Sequence, residues 1–261
     1  MLITSRQNPL IVRLAKLADR KHRKNEGLFL AEGVKLSEEA AKAGVVEYLL
    51  LTEDHENSPV AVSVADAGGE VITVSREVLE KVSTESAPQG MIAVCRMMPE
   101  LHSAEAEDLG ESECVLILDR VRDPGNMGTV MRSAEAFGNV HLLTAGCADL
   151  YNPKTVRGSM GALFRVRTTD FATTADAVEF AKTQGYRVLG AALDNTAVKL
   201  GEYRLTAKDA VIIGTEGQGI SDEVLAMCDG KLYIPMTGGE SLNCSVAASV
   251  IMWEAFRSRS I

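Results

Sequence analysis

Residues Cys114-Val115-Leu116-Ile117-Leu118 are followed closely by Asp123-Pro124-Gly125-Asn126-Met127-Gly128-Thr129-Val130-Met131-Arg132. The first segment is a short, continuous apolar run, the pattern of a strand buried on both faces. The second opens as a turn and carries on as a helix to about Phe137, where Gly138 stands at the place glycine favours after a helix end. Strand, glycine-bearing turn and helix make half of a βαβ unit, and the pattern recurs downstream. Strands are expected at Val140–Thr144, Phe164–Arg167, Arg187–Ala191, Ala210–Gly214 and Lys231–Ile234. Helices are expected near Pro153–Met160, Ala175–Gln184 and Asp222–Met227, and from about Ser241 to Arg257. Such alternation predicts an α/β fold with a mainly parallel sheet covered on both faces. Ligands of such sheets sit at the carboxyl ends of the strands.

Upstream, the same kind of alternation forms a smaller α/β unit. Residues 9–23 read as one helix, with Leu10, Leu14 and Leu17 on a shared face. Strands are expected at Leu28–Ala31, Val45–Leu51, Val71–Val74 and Met91–Cys95, with helices at Val34–Ala43, Val60–Ala67 and Arg76–Val82. The stretch Pro99–Glu113 is acidic and poor in apolar residues, the character of a linker. The expected organisation is a small domain over residues 1–98, an acidic linker over 99–113 and a larger domain over 114–261. A length of 261 residues suits one to two domains.

Composition narrows the class of protein. With 46% hydrophobic and 24% charged residues the chain buries a core without staples. Its five cysteines form no CxxC pair, so neither a disulfide framework nor a structural zinc site is expected, and no metal is assigned. No run of 18 apolar residues is present and no secretory signal opens the chain, which points to a cytoplasmic protein without a membrane partner. The net charge of −9 argues against a nucleic-acid partner only as an average. Residues 1–24 hold Arg6, Arg13, Lys16, Arg20, Lys21, Arg23 and Lys24 against one acid, Asp19. A phosphate backbone responds to such local patches. The same arm also fits a solvated helix face.

Three loops at strand ends are rich in glycine: Asp123 to Arg132, Gly214-Thr215-Glu216-Gly217-Gln218-Gly219, and Ile234-Pro235-Met236-Thr237-Gly238-Gly239-Glu240-Ser241-Leu242-Asn243. Glycine lets a backbone turn sharply and approach a ligand. The second loop reads GxxGxG, not the GxGxxG of a Rossmann site, and no P-loop is present. Any nucleoside would be held by another arrangement.

In their order and spacing these loops resemble the three motifs of the SpoU (TrmH-type) RNA 2′-O-ribose methyltransferases of the SPOUT superfamily. Asn126 and Arg132 match the first motif. Gly214 to Gly217 match the second, although the family often has Asn where Thr215 stands. Ile234-Pro235-Met236 with Ser241 to Ala247 match the third. The first domain resembles the L30e-like RNA substrate-binding domain that often precedes this catalytic domain, at Ala31-Glu32-Gly33 and Pro88-Gln89-Gly90. The resemblance implies a deep trefoil knot in the C-terminal domain and S-adenosyl-L-methionine (SAM) as methyl donor. It also implies a homodimer through that domain, with the site near the interface. The substrate would be RNA rather than DNA, with ribosomal RNA favoured over transfer RNA. It gives Asn126, Arg132, Glu216, Ser241 and Asn243 to catalysis and Gly214, Ile234 and Leu242 to the cofactor.

Each of these residues also has a plainer reading. Asn126 is suited to a turn or helix cap, and Ser241 to capping the last helix. Arg132 could be a surface arginine, Glu216 an exposed loop acid, and Ile234 and Leu242 core residues. The last helix is apolar nearly all round, with Val246, Val250, Ile251, Trp253 and Phe256, which fits either burial within one chain or a dimer interface. A transfer RNA methyltransferase, a methyltransferase acting on a base nitrogen, and a non-catalytic RNA-binding protein remain alternatives.

Overall fold

The computed structural model describes residues 2–103, 108–109, 114–138, 140–215, 217–238 and 241–259, with Arg259 through its backbone alone. The chain divides into two units, one holding residues up to Met98 together with Asp149–Phe164, the other Pro99–Ala148 and Arg165 onward.

In the smaller unit, Asn8 caps α1 (Pro9–Ala15) by accepting from Leu10 N at 2.9 Å. The single helix expected over 9–23 is interrupted. After a 3-10 turn at Lys16–Ala18, Asp19 is extended, and its carboxylate accepts from Lys21 N and His22 N to start α2 (Arg20–Glu26). An aspartate in the run offers a cap, and the cap wins over continuation. There follow β1 (Leu28–Glu32), α3 (Val34–Lys42), β2 (Val46–Leu51), α4 (Pro59–Asp66), β3 (Glu70–Thr73), α5 (Arg76–Val82) and β4 (Met91–Arg96). The sheet order is β1-β4-β2-β3, with β4 antiparallel to both neighbours. Ile11, Leu14 and Leu17 bury against Leu30, Leu50, Val78 and Ile92, so the leucine spacing places the helix face even though the helix breaks.

The larger unit holds β5 (His102–Ser103), β6 (Cys114–Asp119), α6 (Pro124–Phe137) and β7 (Val140–Ala145). After β7 the chain enters the smaller unit, where α7 (Pro153–Ser159) packs on β1, and Tyr151 and Phe164 set their rings 4.7 Å and 6.2 Å from Phe29 within that same unit. Phe164 therefore ends a 3-10 turn, Ala162–Phe164, and the strand expected at Phe164–Arg167 forms later, as β8 (Thr168–Phe171). Then come α8 (Thr174–Thr183), β9 (Arg187–Ala191), β10 (Val198–Lys199), β11 (Asp209–Ile213), α9 (Asp222–Met227), β12 (Gly230–Tyr233) and α10 (Cys244–Arg259). The eight strands lie in the order β10-β12-β9-β11-β6-β7-β8-β5, and every pairing is parallel. Within the acidic stretch, His102–Ser103 adds the edge strand β5 and Leu109 is buried in this unit's core; residues 104–107 and 110–113 lie outside the described residues.

Strands β6, β7 and β11 are buried along their length, as their apolar runs predict. From β12 the chain turns back to α10, which packs on α6 and over β11 and β6. That return brings the second and third glycine-bearing loops together.

Candidate active site

The first loop is shaped by Asp123, not by Asn126. The Asp123 carboxylate caps α6, accepting from Asn126 N at 2.9 Å, and Pro124 takes the first helical position. Asn126 is thereby freed from capping, and its side chain faces α10. There its Oδ1 accepts from Asn243 Nδ2 at 3.2 Å and from Ser245 Oγ at 3.4 Å.

The last helix begins at Cys244, later than expected. Asn243 is its cap: Oδ1 accepts from Ser245 N at 2.9 Å, Ser245 Oγ at 2.6 Å and Val246 N at 3.4 Å. Ser241, the residue first considered for that cap, lies two residues too early and lines a pocket instead. A further bond, Ser133 Oγ to Ser249 Oγ at 2.7 Å, ties α6 to α10 along their length.

That pocket, of about 490 Å³, opens at the carboxyl ends of β9, β11 and β12. Gly214, Thr215 and Gly217–Ile220 form one wall, and Ile234, Met236, Ser241, Leu242 and Cys244 form another. Ala191, Ala192 and Leu193 complete it. Gly214 has no room for a side chain: a Cβ there would sit 2.3 Å from the Gly219 carbonyl carbon. Gly217 and Gly219 adopt φ of +89° and +65°, which close the loop on itself, and Thr215 N and Gly219 N each donate to the other's carbonyl. Thr215 Oγ1 is buried without a hydrogen-bond partner among the described residues. A pocket of this size, apolar in its walls and edged by glycine backbone, suits a nucleoside-sized ligand.

Of the residues expected from sequence, Gly214, Ile234, Ser241 and Leu242 meet at the pocket, while Asn126 and Asn243 meet each other. Arg132 is not brought to either group. It is exposed on α6 in a strip with Thr129 and Ala136, and makes no hydrogen bond or ion pair among the described residues. Glu216 lies outside the described residues. Sequence reading missed Ser245 and the end of β9. The signal for the latter is that the carboxyl ends of parallel strands face the ligand whether or not the loop that follows carries glycine.

In the smaller unit, the two segments singled out from sequence also come together. Gly33 N donates to Met91 O at 2.9 Å, and a Cβ at Gly33 would lie 3.0 Å from Gln89 Oε1. The Glu32 carboxylate is buried and accepts from Thr84 N at 3.0 Å and from the Ser83 hydroxyl. Along the segment from Arg6 through α1 and α2, Arg6, Arg13, Lys16, Arg20, Lys21 and Lys24 are exposed. Arg23 leaves this set. It is 1% exposed and donates to Leu17 O, Ala18 O and Asp149 Oδ2, so it holds the fold.

Among the described residues no helix is long and apolar enough to cross a membrane, and no group of three His, Cys, Asp or Glu is placed to hold a metal ion.

An all-parallel sheet whose carboxyl-end loops fold back into a glycine-walled pocket, beside an asparagine-linked helix pair, has the build of a SPOUT-type methyltransferase. The chain belongs to the SpoU rRNA methylase family, whose model matches residues 113–253, and an MRM3-like substrate-binding domain matches residues 8–93. It is 34% identical over 253 residues to the 23S rRNA (guanosine(2553)-2′-O)-methyltransferase RlmP of Bacillus subtilis, covering 96% of this chain and 97% of the relative. It is 31% identical to the 23S rRNA (uridine(2479)-2′-O)-methyltransferase of Streptomyces viridochromogenes, over 98% and 92%. Among solved structures, the AdoMet-bound rRNA methyltransferase of Sinorhizobium meliloti superposes with a TM-score of 0.84 at 28% identity, over 98% of this chain and 97% of the other.

Proposed function

We propose that the protein transfers a methyl group from SAM to a ribose 2′-hydroxyl of ribosomal RNA. The observation that carries this reading is the meeting of the second and third glycine-bearing loops at one pocket beside the Asn126–Asn243 pair. The names of the relatives, methyltransferases of 23S rRNA, support the choice of substrate.

In this reading bound SAM supplies an electrophilic methyl group carried on a sulfonium. The backbone groups of Gly214, Ile234 and Leu242 hold it in the pocket, with Ser241 beside it, and Glu216 is given the role of an orienting carboxylate. Asn126 and Asn243 orient the target ribose. Holding oxygen, methyl and sulfur in line is worth several kcal/mol of a barrier. Arg132 is given the RNA side. A guanidinium is a permanent cation with a planar fork of donors, which suits it to grip a phosphate and to stabilise the developing 2′-alkoxide rather than to act as a base; S-adenosylhomocysteine leaves as the O–CH3 bond forms, and the hydroxyl proton passes to a substrate phosphate oxygen or to solvent.

The smaller domain, residues 1–98 in this reading, grips structured RNA by phosphate and shape through the exposed cations of α1 and α2. Residues 114–261 form the catalytic domain. The return of the chain from β12 to α10 is where the trefoil knot would close. The protein works as a homodimer in the cytoplasm with its RNA. Support for the dimer is the apolar strip of Val246, Trp253 and Phe256 on α10, each more than a third exposed.

Primer-extension mapping of 2′-O-methyl sites in cells with and without the protein tests the proposal. One site lost from ribosomal RNA supports it. A site lost only from transfer RNA moves the substrate. Nuclease digestion with mass spectrometry separates ribose from base methylation, and no missing methyl group at all favours a non-catalytic RNA-binding protein.

A further inference from the structure

Two non-glycine residues among those described lie in the left-handed region, Arg120 at φ +54° and Met160 at φ +51°. Met160 ends α7. Arg120 directly follows β6, at the carboxyl end of the sheet, and leads into the loop that starts α6. A residue with a Cβ is strained there, whereas glycine is not. The strain is matched by what the bend achieves. Neighbouring side chains of a strand point to opposite faces, but the bend returns Arg120 onto Asp119: Nε donates to Oδ1 and Nη2 to Oδ2, both at 2.9 Å. Asp119 is buried, and its Oδ1 also accepts from Thr174 Oγ1, at the start of α8, at 2.6 Å. Gly146 leaves room for the arginine stem, since a Cβ there would lie 3.2 Å from Arg120 Cγ. Backbone bonds continue the fastening, from Arg120 N to Ala145 O at 2.8 Å and from Ala148 N to Val121 O at 2.9 Å. Two residues past Val121, Asp123 caps α6 and so fixes where Asn126 stands.

We propose that Asp119 and Arg120 are positioning residues for methyl transfer: their two-bond pair holds the left-handed bend, and the bend sets where the first glycine-bearing loop presents Asn126. This rests on the reading that Asn126 orients the target ribose. Asp119 and Arg120 act through Asn126 and not on the substrate themselves. A glycine at position 120 would make the bend without strain, so an arginine there serves to lock it. Small displacements of an orienting group slow an in-line transfer steeply while leaving binding nearly unchanged.

The test is methyl transfer from SAM to ribosomal RNA isolated from cells lacking the protein, with kcat and KM measured on the full chain. Asp119→Asn combined with Arg120→Gly removes both charges, keeps an acceptor for Thr174 and lets the bend form unstrained. Its kcat is expected about 30-fold below wild type, with the KM for RNA and the affinity for S-adenosylhomocysteine within about twofold. Arg120→Lys keeps a cation beside Asp119 without the fork and is expected to recover part of the loss, to about fivefold below wild type. Adding the double variant to Asn126→Ala is expected to lower kcat no further. A double-variant kcat within about twofold of wild type overturns the inference, and so does a loss that multiplies with that of Asn126→Ala. A parallel loss of S-adenosylhomocysteine affinity marks an effect on the whole fold and overturns it too. If the double variant does not fold, Arg120→Lys decides, and a kcat within about twofold of wild type there overturns the inference. A wild-type chain that transfers no methyl group to this RNA overturns instead the reading on which the inference rests.

Discussion

The side chains of Asn126 and Asn243 meet at 3.2 Å, although 117 positions separate them in sequence. One sits in the first turn of α6 and the other caps α10. The contact therefore fixes two helix starts against each other at the carboxyl-end side of the sheet. Because Asp123 takes the α6 cap, Asn126 is available for this bond. The Asn243 carboxamide is used twice, with its oxygen toward the α10 backbone and its nitrogen toward Asn126.

Replacing either asparagine should expose this double use. Asn243→Ala removes a cap, expected to cost about 1 kcal/mol and to lower the melting temperature by about 2–4 °C. Asn126→Ala removes no cap and should leave the melting temperature closer to wild type. If the two act as a unit on the ribose, both variants and the double variant lose methyl transfer to a similar extent. Transfer of labelled methyl groups from SAM into ribosomal RNA measures this. Multiplying losses would show that the two act separately.

Arg132→Lys keeps the charge and loses the planar fork. With Arg132 on phosphate and alkoxide, turnover is expected to fall by about 100-fold, as for loss of an oxyanion donor, while S-adenosylhomocysteine binding stays at the wild-type level. Turnover equal to wild type would remove Arg132 from both roles. Single-turnover methylation and calorimetry on the same preparation separate the two effects.

Gly214→Ala places a methyl group 2.3 Å from the Gly219 carbonyl carbon and 2.5 Å from Ile220 N. Both neighbours are backbone, so the loop itself must move. The expected result is loss of cofactor binding, with the fold retained by far-ultraviolet circular dichroism. Gly217→Ala meets open space but strains a φ of +89° and should weaken binding less. Equal affinities for wild type and Gly214→Ala would show that the wall tolerates displacement.

The apolar runs Cys114–Leu118 and Val140–Thr144 were legible as buried strands because parallel sheets bury both faces. The helix break at Asp19 was harder to read, since the leucine spacing runs up to Leu17, the polar run Arg20–Glu26 is helical in its own right, and only the cap competition separates the two. The late start of β8 follows from Phe164 packing on Phe29, a contact 135 positions away that no local pattern carries. Edge strands β5 and β10, two residues each, give no periodicity to detect. At the site, the glycine-bearing loops were readable, whereas Ala191–Leu193 carries no glycine and reaches the pocket only through the position of β9 in the sheet.

His141 predicts a pH dependence. It is buried on β7, with Nε2 2.9 Å from Thr169 Oγ1 and Nδ1 without a partner among the described residues. Burial first, and then the Arg167 charge, push its pKa down to about 4, against a smaller upward pull from Asp108. A base with a depressed folded-state pKa binds its proton more readily when unfolded. Stability is thus level above the unfolded value near 6.5 and declines as pH falls from there toward 4. Between pH 6.5 and 5 the decline amounts to about 1.5 kcal/mol from this group. Urea unfolding at those two pH values should show it, and His141→Gln should remove most of it. An unchanged slope in that variant would assign the dependence elsewhere.

The outer face of α10 bears on assembly. Trp253 and Phe256 are 48% and 38% exposed, yet they stack with Phe137 into an aromatic group with centroids 5.9–6.2 Å apart. Aromatic surface of this kind, continuous along a helix that is buried on its other side, is the makeup of an interface centre. Trp253→Glu sets a charge in that centre. In sedimentation experiments at micromolar concentration the wild type is expected as a dimer and the variant as a monomer. The variant should keep its far-ultraviolet circular dichroism, because the side chain is half outside the protomer's own core, while its melting temperature falls by what association contributes. Methyl transfer is expected to fall with dimer content if the partner surface completes the site around Arg132. A fully active monomer would confine the catalytic groups to one chain, and a monomeric wild type would leave the aromatic face to some other contact.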